Sequence, residues 1–284
     1  MRWTAKDGTE VAYSVDGEGP ALVLTNGLTT SHAFWRYLVP RWVDQHRVLQ
    51  WDLPGHGSSG PAQSESSARI AEQPEILVRL MDAAGIESAV QVGWSTGCQV
   101  VLEMYRRYPS RCTGLVLLLG SAGRVLSTST LPVPGAVLDG FVRHTPSSIF
   151  FALTRVLAYA SSAPLVDRVP RMLGLIGPDT SNEDAASITR HLRTIDTRTV
   201  QTMIASAHAH SAWELLPQIR VPVLIVAGDR DSFAPSATVG ERMHALCPTS
   251  TLVRLPEGTH TALFDHAQEI GDSVERFLVS AALR

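Results

Sequence analysis

The chain has 284 residues, 44% hydrophobic and 18% charged: ample apolar material for a core and a lined pocket, long for one compact core and short for two full domains. A net charge of -3 with no long charge run gives no electrostatic basis for binding nucleic acid or an anionic membrane, and a neutral small molecule suits it better. Three widely spaced cysteines, Cys98, Cys112 and Cys247, argue against a disulfide framework, no spacing suggests a metal site, and no segment is apolar enough for a signal peptide or membrane span, so a cytoplasmic protein is expected.

Residues 11–15 read as a strand, followed by a Gly17-Glu18-Gly19-Pro20 turn and a buried strand over 21–25. After a loop and short helix containing Trp35 and Leu38, a strand over 46–52 ends in the turn Leu53-Pro54-Gly55-His56-Gly57. Ser66 or Ser67 is positioned to cap a helix running to about Ala84, with Ile70, Ile76, Leu77, Leu80 and Met81 inward and Pro74 marking a kink or a later start. An apolar strand over 89–92 leads into Gly93-Trp94-Ser95-Thr96-Gly97. The helix expected after it, 98–108, carries Val100, Val101, Met104, Tyr105 and Tyr108 as one stripe facing a sheet. A continuous apolar strand over 114–120 follows, and strands this uniformly apolar imply a parallel sheet covered on both faces.

The alternation stops near Ala122. From there to about Pro217 the pattern predicts helices only: one from Thr145-Pro146 with Ile149, Phe150, Leu153, Val156 and Leu157 on its apolar face, and others over 166–175, 183–192 and 198–207. A strand over 221–227, a helix over 235–246, a strand over 251–255 and a closing helix over 266–282 resume the alternation. The natural division is an α/β core of residues 1–122 and 218–284 with a helical insertion of 123–217.

A serine at a sharp strand-to-helix turn between two glycines stands exposed above the sheet, which is the geometry of a nucleophile elbow. A serine hydroxyl is a weak nucleophile and needs a base, itself oriented by a third group. On a parallel sheet those groups lie at the carboxyl ends of strands. The strand over 221–227 ends in Gly228-Asp229-Arg230-Asp231 and the strand over 251–255 in Pro256-Glu257-Gly258-Thr259-His260, while His266 opens the closing helix, too far along to sit on that loop. Asp52, also at a strand end, reads as a brace for its turn. Cys98 reads as a small buried hydrophobe, and His208 and His210, two apart, do not share a helical face and so make no metal pair.

In these segments the sequence resembles the α/β-hydrolase superfamily over nearly its whole length. Gly93 to Gly97 match the elbow, Asp52 to Ser59 the loop after the fourth strand, Val221 to Gly228 with Asp229-Arg230-Asp231 and Pro235 the acid segment, and Gly258-Thr259-His260 the histidine loop. The resemblance implies a mostly parallel sheet flanked by helices, with the inserted helices as a cap. It also implies Ser95 as nucleophile, His260 as base and Asp231, rather than Asp229, as acid, with no cofactor and no metal. Similar proteins usually carry His-Gly after the third strand, where this chain has Asn26-Gly27. The backbone N–H groups of Leu28 and Thr96 are therefore expected to form the oxyanion hole, with Asn26 a local brace that could also touch substrate. Trp94, Phe150 and His210 are candidates for the pocket. Serine at the elbow implies acyl chemistry, with a small to medium carboxylic ester as substrate. A lactonase, a thioesterase, a carbon–carbon bond hydrolase or a haloperoxidase-like relative would use the same triad, and a small-molecule receptor derived from such a hydrolase is the reading from another class.

Overall fold

The computed structural model describes residues 1–130, 132–160 and 168–283. An eight-stranded sheet runs in the order β1-β2-β4-β3-β5-β6-β7-β8. β1 (Arg2–Thr4) and β2 (Glu10–Asp16) pair antiparallel at one edge, and β3 (Ala21–Thr25), β4 (Arg47–Trp51), β5 (Ala89–Trp94), β6 (Cys112–Leu118), β7 (Val223–Gly228) and β8 (Ser250–Leu255) are mutually parallel. The mostly parallel α/β sheet is therefore as expected. Helices α1 (Val39–Trp42), α2 (Gln73–Ala83) and α3 (Gly97–Arg107) connect the first strands. Between β6 and β7 lie α4 (Val125–Thr128), α5 (Gly135–His144), α6 (Ser147–Ala160), α7 (Arg168–Met172), α8 (Asn182–Leu192) and α9 (Thr197–Ala209). α10 (Glu241–Leu246), α11 (Ala262–Asp265) and α12 (Ala267–Ser280) complete the chain.

The period of two along each strand divides the core between the two faces. Leu22, Leu24, Val90, Val92, Val116, Leu118, Leu224 and Val226 pack with Trp42 of α1 and Ile270, Val274 and Phe277 of α12. The alternate residues Val23, Leu49, Leu115, Leu117, Val223 and Ile225 pack with Ile76, Leu77, Leu80 and Met81 of α2 and Val100, Val101 and Met104 of α3. β3 lies between β4 and β5, so the chain leaving β3 turns one way and the chain leaving β5 turns the other. That divergence opens a crevice at the carboxyl ends of β3 and β5, the topological switch point at which open α/β sheets bind ligands.

Several local expectations are corrected. The helix expected over 66–84 is two short 3₁₀ turns, Ser66–Ala68 and Ile70–Glu72, followed by α2 from Gln73. Pro74 marks a later start rather than a kink, because in the first turn its missing N–H costs nothing. The helix expected over 235–246 begins as a wider turn, Ser236–Gly240, in which Val239 and Gly240 both donate to Pro235 O. β1 was not anticipated, since three edge residues carry no readable alternation. α5 was not anticipated either, and of the helix expected over 166–175, residues 166 and 167 lie outside the described residues, Arg168–Met172 is helical and 173–175 turn away from the helix.

The apolar face expected on α6 is mostly outward: Ile149, Leu153 and Val156 are 52%, 47% and 66% exposed, and the Leu157 side chain lies outside the described residues. Residues 149–153 are all apolar, so the sequence contained no single stripe to choose, and the packing of α6 on α8 and α9 made the choice. Among the described residues no helix is long and apolar enough to cross a membrane.

Two buried imidazoles meet where the inserted helices pack on the core. His56, in the turn after β4, donates from Nδ1 to Pro54 O at 2.9 Å and stacks on His191 of α8 at a ring separation of 6.3 Å. Burial pushes His56 down to about 4, with His191 beside it adding to the effect, and burial lowers His191 as well. An imidazole depressed in the folded state leaves stability intact above its unfolded value of about 6.5 and withdraws it as pH falls towards about 4, by roughly 3 kcal/mol at the acid end. The thermal midpoint is therefore expected to drop over that interval, and to drop less in His56→Phe. Identical pH slopes for the two proteins would remove His56 from the account.

Candidate active site

β5 ends at Trp94, and the chain turns at Ser95 with φ +57°, a left-handed conformation unusual for a residue with a side chain. Ser95 N–H donates to Leu118 O at 2.9 Å, which ties the turn to the neighbouring strand. The flanking glycines have a steric cause. A Cβ at Gly93 would meet Gly97 O at 2.5 Å, and one at Gly97 would meet Asn26 O at 2.9 Å. Cys98 is buried one turn on, its thiol donating to Gly93 O at 3.2 Å, and burial pushes that thiol far up, so it is a neutral packing group.

Ser95 Oγ lies 2.8 Å from His260 Nε2, and His260 Nδ1 lies 2.9 Å from Asp231 Oδ2 and 3.1 Å from Oδ1. Asp231 is 1% exposed and also accepts the N–H groups of Phe233 at 2.8 Å and Ala234 at 3.0 Å. A carboxylate accepts only, so Nδ1 carries the imidazole proton and Nε2 is left to accept from the Ser95 hydroxyl. Asp229 is elsewhere: its carboxylate pairs with the Arg254 guanidinium at 3.0 Å and accepts from Ser236. His266 lies 3.6 Å from Glu269 on the opening turn of α12.

Gly27 lies against Ser95, where a Cβ would come 2.9 Å from Ser95 Cβ and 3.4 Å from its Oγ. Thr30 Oγ1 donates to Gly27 O at 2.8 Å, and Thr29 takes φ +59°, so the loop after β3 is curled tightly over Ser95. The backbone N–H groups of Leu28, in that loop, and Thr96, in the elbow, have no protein acceptor among the described residues. Asn26 is fully buried and its amide is committed to the core: Oδ1 accepts from Trp35 Nε1, while Nδ2 donates to Trp51 O at 2.9 Å and Asp52 Oδ1 at 3.3 Å. It braces the end of β3 against Trp35, Trp51 and Asp52.

Asp52 holds the two adjoining loops by accepting from His32 N–H at 2.7 Å, Ser58 N–H at 2.8 Å and His32 Nδ1 at 2.9 Å. Burial alone would raise its carboxyl, but these donors outweigh it and hold the group below the usual range, while the Asp52 contact raises His32 above its ordinary value.

Trp94 packs behind the histidine loop. It is buried, its indole donates to His260 O at 3.2 Å, and its ring lies 6.2 Å from that of His260. Phe233, which sequence reasoning did not single out, stands edge-on to the His260 ring at 4.9 Å; a lone aromatic two residues past an acid carries no motif that could have flagged it. Phe150 is half-buried with its ring 6.4 Å from Phe141. His210 is pinned between α3 and the end of α9, Nε2 at 3.0 Å from Glu103 and Nδ1 at 3.5 Å from Gln99. Among the described residues no group of three or more histidine, cysteine or acidic side chains is placed to hold a metal ion.

Comparison with known proteins identifies the fold on which this serine, imidazole and buried carboxylate sit. A model of the alpha/beta hydrolase fold family matches residues 20–267. The chain belongs to the α/β-hydrolase fold family. It is 28% identical over 233 residues to a putative carbamate hydrolase of Azorhizobium caulinodans, covering 80% of this chain and 79% of that protein. It is 26% identical to a pimeloyl-[acyl-carrier protein] methyl ester esterase of Photobacterium profundum, over 95% of this chain and 99% of the relative. The enol-lactonase of Burkholderia xenovorans superposes with a TM-score of 0.72 at 22% identity, covering 95% and 97% of the two chains, which shows the shared fold. The protein is an α/β-fold hydrolase.

The contact between Gly27 and Ser95 makes a sharp prediction. Gly27→Ala sets a methyl on Ser95, and labelling of Ser95 by a fluorophosphonate probe is expected to slow by about 100-fold while circular dichroism is unchanged. Labelling at the wild-type rate would show that the loop yields.

Proposed function

We propose that this hydrolase cleaves a small to medium carboxylic ester through an acyl-enzyme. The observation that carries the proposal is the continuous hydrogen-bonded chain Ser95 Oγ–His260 Nε2 at 2.8 Å and His260 Nδ1–Asp231 Oδ2 at 2.9 Å, with the serine on a left-handed turn. His260 takes the Ser95 proton as Oγ attacks the ester carbonyl, and Asp231 holds the imidazole in the required tautomer and stabilises its cationic form. The N–H groups of Leu28 and Thr96, free of protein acceptors and beside Ser95, are suited to take up the developing oxyanion. His260 then gives its proton to the departing alcohol, and water repeats the sequence on the acyl-enzyme to release the acid.

Names of relatives support the same class of reaction: one is a methyl ester esterase and one a putative carbamate hydrolase, both acting at an acyl carbon. In this reading residues 123–217 form the cap over the site and bound the substrate, and the remaining residues form the catalytic core. The three described cysteines, all buried and unbridged, suit a reducing cytoplasm.

The test is turnover of a graded p-nitrophenyl ester series by wild type and Ser95→Ala. Sustained turnover that Ser95→Ala lowers at least ~1,000-fold is expected, and the chain-length optimum would size the space beneath the inserted helices. A single equivalent released and then silence would favour the receptor reading; full activity in Ser95→Ala would overturn the mechanism.

A further inference from the structure

The turn that follows α7 belongs to the inserted helices, yet its backbone is bonded to both loops that carry the acid and the base. Gly174 O accepts the main-chain N–H of His260 at 3.3 Å. Leu173 O accepts the hydroxyl of Ser232, the residue after Asp231. On the far side of His260, Thr261 Oγ1 accepts the N–H of Gly177 at 3.0 Å, and Thr180 Oγ1 donates to Asp265 Oδ2 at 3.1 Å. The approach is close enough to require glycine: Gly174 has φ +66°, and a Cβ there would collide with Arg230 O and lie 2.8 Å from Ser232 Oγ. Arg171 stiffens the turn by donating to the carbonyls of Gly177, Pro178 and Thr180.

His260 is thus held from two sides. Its N–H is bonded to the insertion, whereas its carbonyl is bonded to Trp94 at the end of the nucleophile's own strand, and Phe233 closes on its ring from the acid loop. A base that must keep Nε2 within hydrogen-bond reach of Ser95 Oγ through two proton transfers has little tolerance, since a displacement of about 1 Å costs on the order of 100-fold in rate.

We propose that the 173–177 turn is a positioning element: its docking on Ser232, His260 and Thr261 sets the base in register with Ser95. This rests on the catalytic roles proposed above for Ser95, His260 and Asp231. Gly174, Ser232 and Thr261 act through the histidine and touch no reacting atom.

Thr261→Val keeps the shape of the side chain and removes the acceptor for Gly177 N–H, Thr261→Ser restores it, and Ser232→Ala removes the second tie. Both deletions are expected to lower kcat about tenfold with KM within about twofold of wild type, and Thr261→Ser to recover most of the loss. Labelling of Ser95 by a fluorophosphonate, which does not depend on the natural substrate, is expected to slow in parallel. Unchanged kcat and labelling in both deletions would overturn the proposal, as would a rise in KM at constant kcat, which would make the turn a wall of the substrate site. Should Thr261→Val fail to fold by circular dichroism, Ser232→Ala decides alone. Failure of the catalytic reading itself shows separately, as Ser95→Ala retaining turnover or wild-type Ser95 resisting the probe.

Discussion

The site depends on how closely backbone can approach Ser95. Gly27, Gly93, Gly97 and Gly120 all stand where a Cβ would strike the elbow or the strand end beside it: Gly27 faces Ser95 Cβ, Gly93 faces Gly97 and Cys98, Gly97 faces the end of β3, and Gly120 faces Ser95 O and Cys98. The four side-chain-free positions let β3, β5 and β6 converge on one residue. A left-handed serine costs on the order of 1–3 kcal/mol, and the dense packing beneath it, with Val92, Trp94, Cys98 and Leu118 all buried, leaves it no relaxed alternative.

The electrostatics contain an internal comparison. Asp52 and Asp231 are both fully buried at strand ends, both accept two backbone N–H groups, and both hold a histidine Nδ1 at 2.9 Å. Only one of the two imidazoles, that of His260, has a serine hydroxyl at its other nitrogen. The His32 pair ties the loop after β3 to the turn after β4, so equal local chemistry serves architecture there and, in the proposed mechanism, reactivity at His260. What separates them is the partner beyond the ring, which the sheet topology supplies.

Among the ties that join the inserted helices to the core, three lie close to the candidate site. Arg36 and Tyr37, after β3, hold Asp184 at the start of α8; His191 stacks on His56 beside the β4 turn; and the 173–180 segment rides on the acid and histidine loops. The first two anchor the insertion to the loops around Gly27 and Asp52, and the third to His260. The insertion therefore contacts the segments after β3 and β4 and the loops that carry Asp231 and His260.

The sequence by itself determined whatever depends on near neighbours. Strand alternation, the glycine-serine-glycine turn at 93–97, the aspartates and histidine at strand ends and the return of β7 and β8 after a helical stretch are all encoded within a few residues of one another, so they were legible. Only the tertiary structure decided matters that need a distant partner. The resemblance singled out Asp231 over Asp229, but the physical reason is tertiary: the turn after β7 aims one carboxylate at His260 and gives the other to Arg254. Trp94 packs behind the histidine because Phe34 and the His260 loop close over it. The outward face of α6 was set by α8 and α9, since a helix whose run 149–153 is wholly apolar does not mark which of those residues meets its neighbour. The hold of Gly174 on His260 joins residues 86 apart, and no local pattern encodes a hydrogen bond between two main chains.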